Sequence, residues 1–204
     1  MLDRLVAEEL QAKLCSAVIG REIIVLEHTG STNDAILQIA NANPKEGIVV
    51  FAEHQTAGRG QRGNRWESAA GKGLWFSILL RPQIDLASSP QLTTWAAEAI
   101  SGAIQSEFSL TPAIKFPNDV QIDGRKVAGV LVEMRAQEKG AHLAIAGIGV
   151  NVNQSREDFP KELQRRAISL AMAIGKQVDR QSFASALLRE LDRTYREKFA
   201  SAGL

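Results

Sequence analysis

A single cysteine, Cys15, stands in a chain of 204 residues, so no internal disulfide is available. The three histidines, His28, His54 and His142, lie too far apart to read as a zinc site, and no metal-ligating residue is expected. Lys and Arg number 24 against 23 Asp and Glu, which leaves no global field to steer the protein onto nucleic acid or an anionic membrane. Long apolar runs are missing too. Stretches such as Val130 to Val132 or Leu143 to Ile145 are far too short to cross a bilayer. Met1 to Gln11 alternates apolar and charged residues, unlike a signal peptide, so a cytoplasmic protein is expected, with Cys15 in its core. No repeat, low-complexity tract or linker divides the chain. With 45% hydrophobic and 23% charged residues, residues 1–204 read as one globular domain.

Apolar spacing predicts an amphipathic helix over residues 2–15, then a strand over 21–27 rich in Ile and Val. The cluster Thr29-Gly30-Ser31-Thr32-Asn33-Asp34 reads as a strand-to-helix turn, its side chains suited to accept from the free amides of a first helical turn, with a helix running on to Asn41 and closed by Asn43-Pro44. Further strands are predicted at 47–53, 74–80, 127–134 and 141–150, the last two joined by a polar turn at 137–140, and a long helix at 90–107. Between residues 120 and 127, Asp123-Gly124 separates two alternating runs, a strong hairpin signal. Helices at 160–174 and 182–199 complete the pattern. Hairpin-connected strands with helices interspersed and gathered late predict an α+β fold, a mixed or antiparallel sheet covered by helices.

Chemistry concentrates in a few passages. His54-Gln55-Thr56-Ala57-Gly58-Arg59-Gly60-Gln61-Arg62-Gly63-Asn64-Arg65-Trp66 makes a flexible cationic loop. Gly58, Gly60 and Gly63 satisfy GxGxxG, but a dinucleotide fingerprint needs a helix to begin among the glycines, and this segment leads to a strand. Gly71-Lys72 lacks the upstream Gly and the following Ser or Thr of a P-loop. What remains is a loop whose amides and arginines suit a phosphate or carboxylate, or else a solvated basic loop touching nucleic acid or nothing. Trp66 is either a core anchor or a stacking surface. In Lys115-Phe116-Pro117-Asn118-Asp119, Pro117 holds Asn118 and Asp119 at a strand start. A tight hairpin would bring Asp119 near Lys126, either within one site or as an exposed ion pair of little worth. Ala146 to Asn153 ends a core strand in small residues and two amides, which fits close ligand approach or a bulge.

In order and spacing, Gly30-Ser31-Thr32-Asn33-Asp34, then Gln55-Thr-Ala-Gly-Arg-Gly60 with Gly63 and Trp66, Lys115-Phe-Pro-Asn-Asp119, Lys126-Val-Ala-Gly-Val-Leu-Val-Glu133 and Gly147-Ile-Gly-Val-Asn151-Val resemble the catalytic domain of biotin protein ligases, over roughly residues 22–199. The resemblance implies the class II synthetase-like fold of that domain and two reactions: ATP and biotin form biotinyl-5′-adenylate, and the acyl group passes to a lysine of a biotin carboxyl carrier protein. It implies that Arg59 meets phosphate and carboxylate and that Lys126 bridges the biotin carboxylate and the α-phosphate. Asp119, supported by Asn118, would orient or deprotonate the acceptor lysine. Ser31, Thr32, Asn33 and Gln55 would contact the ureido ring, with Gly60 and Gln61 beside the biotin and Gly129, Leu131 and Gly147 along its slot. Arg62, Arg65, Trp66 and Asn151 would meet the adenylate half, and Mg²⁺ would arrive with ATP.

Gln61 stands where many such ligases have Arg, and Phe116 where Trp is commoner. The first removes an anion contact and would loosen adenylate retention unless Arg62 compensates. About twenty residues precede the first strand, too few for a helix-turn-helix domain, and after the last helix only Ala200 to Leu204 remain where most such ligases continue into a β-barrel. A ligase without transcriptional control, active but weaker, is the expectation. Such ligases often dimerise by edge-to-edge sheet pairing, and a homodimer stays open here. The rival readings are a lipoate or octanoate ligase or transferase of the same fold and a non-catalytic biotin-binding module. Octanoyl transferases use a cysteine nucleophile, and Cys15 lies far from every motif; intact Lys126, Asp119 and Arg59 argue against the module.

Overall fold

Period-two alternation along the strands sorts their apolar side chains into two layers. In the computed structural model, which describes residues 4–14, 18–41, 45–137 and 142–199, β1 (Glu22–Thr29), β2 (Ile48–Gln55), β3 (Gly73–Leu80), β4 (Ala113–Lys115), β5 (Asp119–Ile122), β6 (Arg125–Arg135) and β7 (Leu143–Asn151) form one sheet in the order β1-β2-β3-β7-β6-β5-β4. Only β1 and β2 run parallel; every other neighbouring pair is antiparallel, so the sheet is mixed, as predicted. Val49 and Phe51, Leu74, Phe76 and Ile78, and Ala146, Ile148 and Val150 face one large core. There α3 (Ser89–Phe108) packs against β6 and against α5 (Arg180–Phe199). Their contact is fixed by Trp95, which donates from Nε1 to Thr194 Oγ1 at 2.8 Å.

The alternate positions, Ile48, Val50, Leu79, Leu143 and Ile145, form a smaller core under α2 (Thr32–Ala40), which contributes Ile36 and Ala40. Coverage by α2 stops short of the sheet's middle. Beyond it, that face carries Ser77 opposite Gly147 and Gly129 opposite Gly149.

Several local expectations are corrected. The first helix, α1, spans only Ala7–Ala12, because the Leu5 amide is taken by Glu53 Oε1 at 2.8 Å and residues 4–6 lie outside the helix. The first predicted helix of the C-terminal pair shrinks from 160–174 to α4, Leu170–Ile174. Ahead of it the chain is held as a strap: Lys126 donates from its amide to Arg166 O and accepts from the Ile168 amide. Ser169 then caps α4 through Met172 N, a boundary signal the apolar spacing concealed. Ser31 precedes α2 without a side-chain cap bond; the Thr32 amide is instead taken by Gln55 Oε1 from β2 at 2.9 Å. The hairpin turn is as read, with Asp123 and Gly124 both in the left-handed region at φ 50° and 71°. Cys15, the closing Asn43-Pro44 and residues 138–140 of the polar turn lie outside the described residues.

One buried ion pair ties the layers together. Arg180, fully buried at the start of α5, donates to Glu53 Oε2 at 2.8 Å and to Gly73 O at 3.1 Å, so the charge is both paired and hydrogen-bonded. Just before it, Asp179 accepts from the Ser182 amide at 3.0 Å and the Ser182 hydroxyl at 2.9 Å. The amide bond first and the hydroxyl second hold the Asp179 carboxyl below its ordinary value of 3.8. A depressed carboxyl stabilises the fold above the unfolded value and loses that contribution as pH falls through the folded one. Asp179→Ala is therefore expected to cost about 1 kcal/mol in urea denaturation at pH 7, and the gap to the native chain should close on acidification. A gap constant down to strongly acid pH would contradict the capping role.

Candidate active site

The uncovered part of the sheet is floored by residues without side chains. A Cβ on Gly147 would stand 2.2 Å from Asn33 Oδ1, one on Gly149 would meet the Trp66 ring at 2.4 Å, and one on Gly129 would lie 2.8 Å from both Lys126 Cε and Trp66. At each of these three positions a methyl group would have to displace the side chain that now covers the glycine. On this floor the structure brings together Ser31, Thr32 and Asn33 from the start of α2, Gln55 from β2, Arg59, Gly60, Gln61 and Trp66 from the cationic loop, Asn118, and Lys126, Gly129 and Leu131 from β6, with Gly147 from β7. Val130, Ile148 and Gly149 also line the cleft; sequence reasoning did not single out Gly149, although its two-residue spacing from Gly147 puts both on one strand face.

One wall is a continuous neutral hydrogen-bond network. Gln55 Oε1 accepts from the Thr32 amide and from Thr32 Oγ1 at 3.2 Å, while Gln55 Nε2 donates to Ser68 Oγ at 2.9 Å. Ser77 Oγ stands 2.6 Å from Asn33 Oδ1 and 2.8 Å from Thr32 Oγ1, with one proton to serve the two. Such a wall offers donors and acceptors at fixed directions and carries no charge. It suits a ligand group that is polar and neutral.

The opposite side is cationic. Lys126 Nζ lies 2.6 Å from Asp119 Oδ1 and 5.0 Å from the centre of a Trp66 ring. The β5–β6 register sets Asp119 opposite Gly129 and Lys126 opposite Gln121, and an irregularity between Val120 and Gln121 turns the two charged side chains toward each other. Asn118 is pinned beside them, its carbonyl accepting from the Val130 amide at 3.0 Å. The loop carrying Arg59 is a small hairpin: Gly60 N donates to Asn64 O, Trp66 N to Gly58 O, and Arg62 and Gly63 turn the chain at positive φ. Arg59 reaches Asp34 at 2.8 Å and Glu133 at 3.1 Å. Trp66 Nε1 is buried with no hydrogen-bond partner among the described residues.

Three predicted contacts lie elsewhere. Arg62 is exposed at the hairpin tip and does not line the cleft, and Arg65 pairs with Glu67 at 3.2 Å. Asn151 is buried behind Lys126, donating to Ile168 O at 3.2 Å and to Lys126 O at 3.4 Å, so it supports the strap. Among the described residues no cluster of three His, Cys, Asp or Glu is placed to hold a metal ion, and no helix is long and apolar enough to cross a membrane.

The helix-backed mixed sheet matches the fold of solved biotin protein ligases. The biotin protein ligase of Aquifex aeolicus, solved in complex with biotin and ATP, superposes with a TM-score of 0.72 at 31% identity, covering 86% of this chain and 72% of that one. The Leishmania major biotin protein ligase, solved with biotinyl-5-AMP, gives 0.67 at 27% identity over 86% and 75% of the two chains. Residues 25–152 match the Biotin/lipoate A/B protein ligase family, and the chain belongs to that family. It is 40% identical over 194 residues to the bifunctional ligase/repressor BirA of Bacillus spizizenii, covering 95% of this chain and 60% of that protein. To the biotin--[acetyl-CoA-carboxylase] ligase of Mycobacterium tuberculosis it is 35% identical over 84% of this chain and 63% of that protein. The chain thus spans about 60% of the length of these relatives.

The glycine floor makes a direct prediction. Gly149→Ala should displace the Trp66 indole and shift tryptophan emission, and the same substitution in a Trp66→Phe background should leave emission unchanged. A shift that persists without Trp66 would place the disturbance elsewhere.

Proposed function

We propose that this chain is the catalytic domain of an ATP-dependent biotin protein ligase, joining biotin to a lysine of a biotin carboxyl carrier protein. The observation that carries this reading is the meeting, over one glycine floor, of a neutral amide-and-hydroxyl wall with two cationic side chains. Biotin has matching halves: a neutral ureido ring and a carboxylate. Ser31, Thr32, Asn33 and Gln55 meet the ring, Gly60, Gln61, Leu131 and Gly147 flank the slot, and Lys126 and Arg59 receive the carboxylate.

In the first step a biotin carboxylate oxygen attacks the α-phosphorus of ATP, the bond to the bridging oxygen breaks, and pyrophosphate leaves with the electron pair. Both reactants are anions, so the barrier is dominated by charge, and fixed cations at the point of meeting lower it. Lys126, a compact point charge, bridges carboxylate and α-phosphate, and Arg59 binds the same oxygens as a fork. Both cations stand beside carboxylates of the chain, so the site is not a bare positive cleft before the anions arrive. Mg²⁺ would come with the nucleotide through its phosphate oxygens and would supply charge neutralisation to the leaving pyrophosphate. Trp66, which lines the cleft, offers its ring to the adenylate half, and Asn151 acts behind Lys126.

In the second step the acceptor amine attacks the acyl carbon, the acyl–phosphate bond breaks, and AMP departs. Asp119 takes or orients the amine proton, with Asn118 holding the turn in place. The reading includes a cytoplasmic setting, and a homodimer, if formed, would pair through β1 or β4, the outer strands of the sheet.

Two assays separate the steps. Lys126→Ala should lower biotin-dependent exchange of pyrophosphate into ATP by about 10²–10³-fold, whereas Asp119→Asn should retain exchange and slow transfer to a carrier domain. Absence of exchange by the native chain with biotin, ATP and Mg²⁺, or equal exchange with lipoate, would sink the ligase reading.

A further inference from the structure

Glu133 belongs to none of the roles given above, yet it touches both halves of the cleft. It lies on β6 two residues beyond Leu131 and four beyond Gly129, so strand alternation directs it to the open face of the sheet. A single oxygen, Oε2, accepts from Asn33 Nδ2 at 2.6 Å and from Arg59 Nη2 at 3.1 Å. Its donors come from different elements, the first turn of α2 and the stem of the loop hairpin.

A carboxylate at this point does something an ordinary surface ion pair does not. Asparagine presents either its oxygen or its nitrogen in a given direction, and the choice depends on its partners. An ionised carboxylate only accepts, so Glu133 forces Asn33 to direct its NH₂ toward β6. The oxygen so placed accepts from the Ser77 hydroxyl at 2.6 Å. Asn33 Oδ1 then lies over Gly147, where a Cβ would come within 2.2 Å. The same carboxylate draws Arg59 toward the neutral wall, and Asp34 shares that guanidinium at 2.8 Å.

We infer that Glu133 is a positioning residue which couples recognition of the ureido ring to recognition of the carboxylate, by setting the polarity of Asn33 and the location of Arg59 through one oxygen. The inference rests on the ligase reading and specifies how the two ends of one ligand are sensed together. A cyclic urea requires acceptors and donors in fixed places, so an Asn33 free to turn would admit it in fewer of its states. An exposed pair without this function would contribute little, and additively.

The test is a double-mutant cycle on biotin affinity, read by calorimetry with the native chain, Glu133→Ala, Arg59→Ala and the double variant. Glu133→Ala is expected to weaken biotin binding at least tenfold, and Arg59→Ala to cost several-fold less in its background than alone. In steady state Glu133→Ala should raise KM for biotin far more than it lowers kcat. Glu133→Gln, which keeps an acceptor oxygen for Asn33 and loses the charge that holds Arg59, should recover part of the affinity. Thermal unfolding of each variant identifies any that fails to fold, and the glutamine variant carries the test if the alanine variant does. Additive effects in the cycle, or a fall in kcat with KM unchanged, would overturn the inference while leaving the ligase reading intact. If the native chain binds no biotin, both fall together.

Discussion

The pairing of β3, β7 and β6 is the constraint from which the rest follows. It places Ser77 opposite Gly147 and Gly149 opposite Gly129, clearing side chains from the middle of one sheet face while the other face stays filled with Phe76, Ile148 and Val130. Because register fixes facing, a slip by one residue would turn the glycines into the core and drive Ile148 into the cleft. Apolar packing on the far side therefore guarantees the empty space on the near side. The site is the complement of the core.

Charge is arranged by a similar complementarity. The chain is nearly neutral, and its site holds cations already opposed by acids: Lys126 by Asp119, Arg59 by Asp34 and Glu133. A cleft of bare cations would repel itself and attract any anion. Paired cations favour a ligand that supplies oxygens in the right geometry and offers something to the neutral wall as well. Selectivity arises from the coincidence of two modest demands.

Much of this was legible in the sequence, for identifiable reasons. Short apolar strand runs, the Asp123-Gly124 turn and the long helices carry strong local signals, and the clusters around Ser31, Arg59, Asp119 and Lys126 stood out by composition. Local signals failed where a distant partner decided the outcome. The first helix lost residues 4–6 because Glu53 captures an amide, and residues 160–168 became a strap because Lys126 offers its backbone on both sides. Arg62 and Arg65 looked equivalent to Arg59 in sequence; hairpin geometry points only one of the three into the cleft. Glu133 was quoted within a motif and assigned nothing, since its meaning lies in two partners 100 and 74 residues away.

The strap at Lys126 bears on entropy. A lysine side chain ordinarily loses a large share of its rotational freedom when it grips a ligand, roughly 1.5–2 kcal/mol. Here the Lys126 peptide is bonded on both its N–H and its C=O, and Nζ rests between the Asp119 carboxylate and the Trp66 ring. Most of that ordering is completed when the chain folds. An arriving anion inherits a cation already held still, and the freedom surrendered on binding belongs mainly to the ligand.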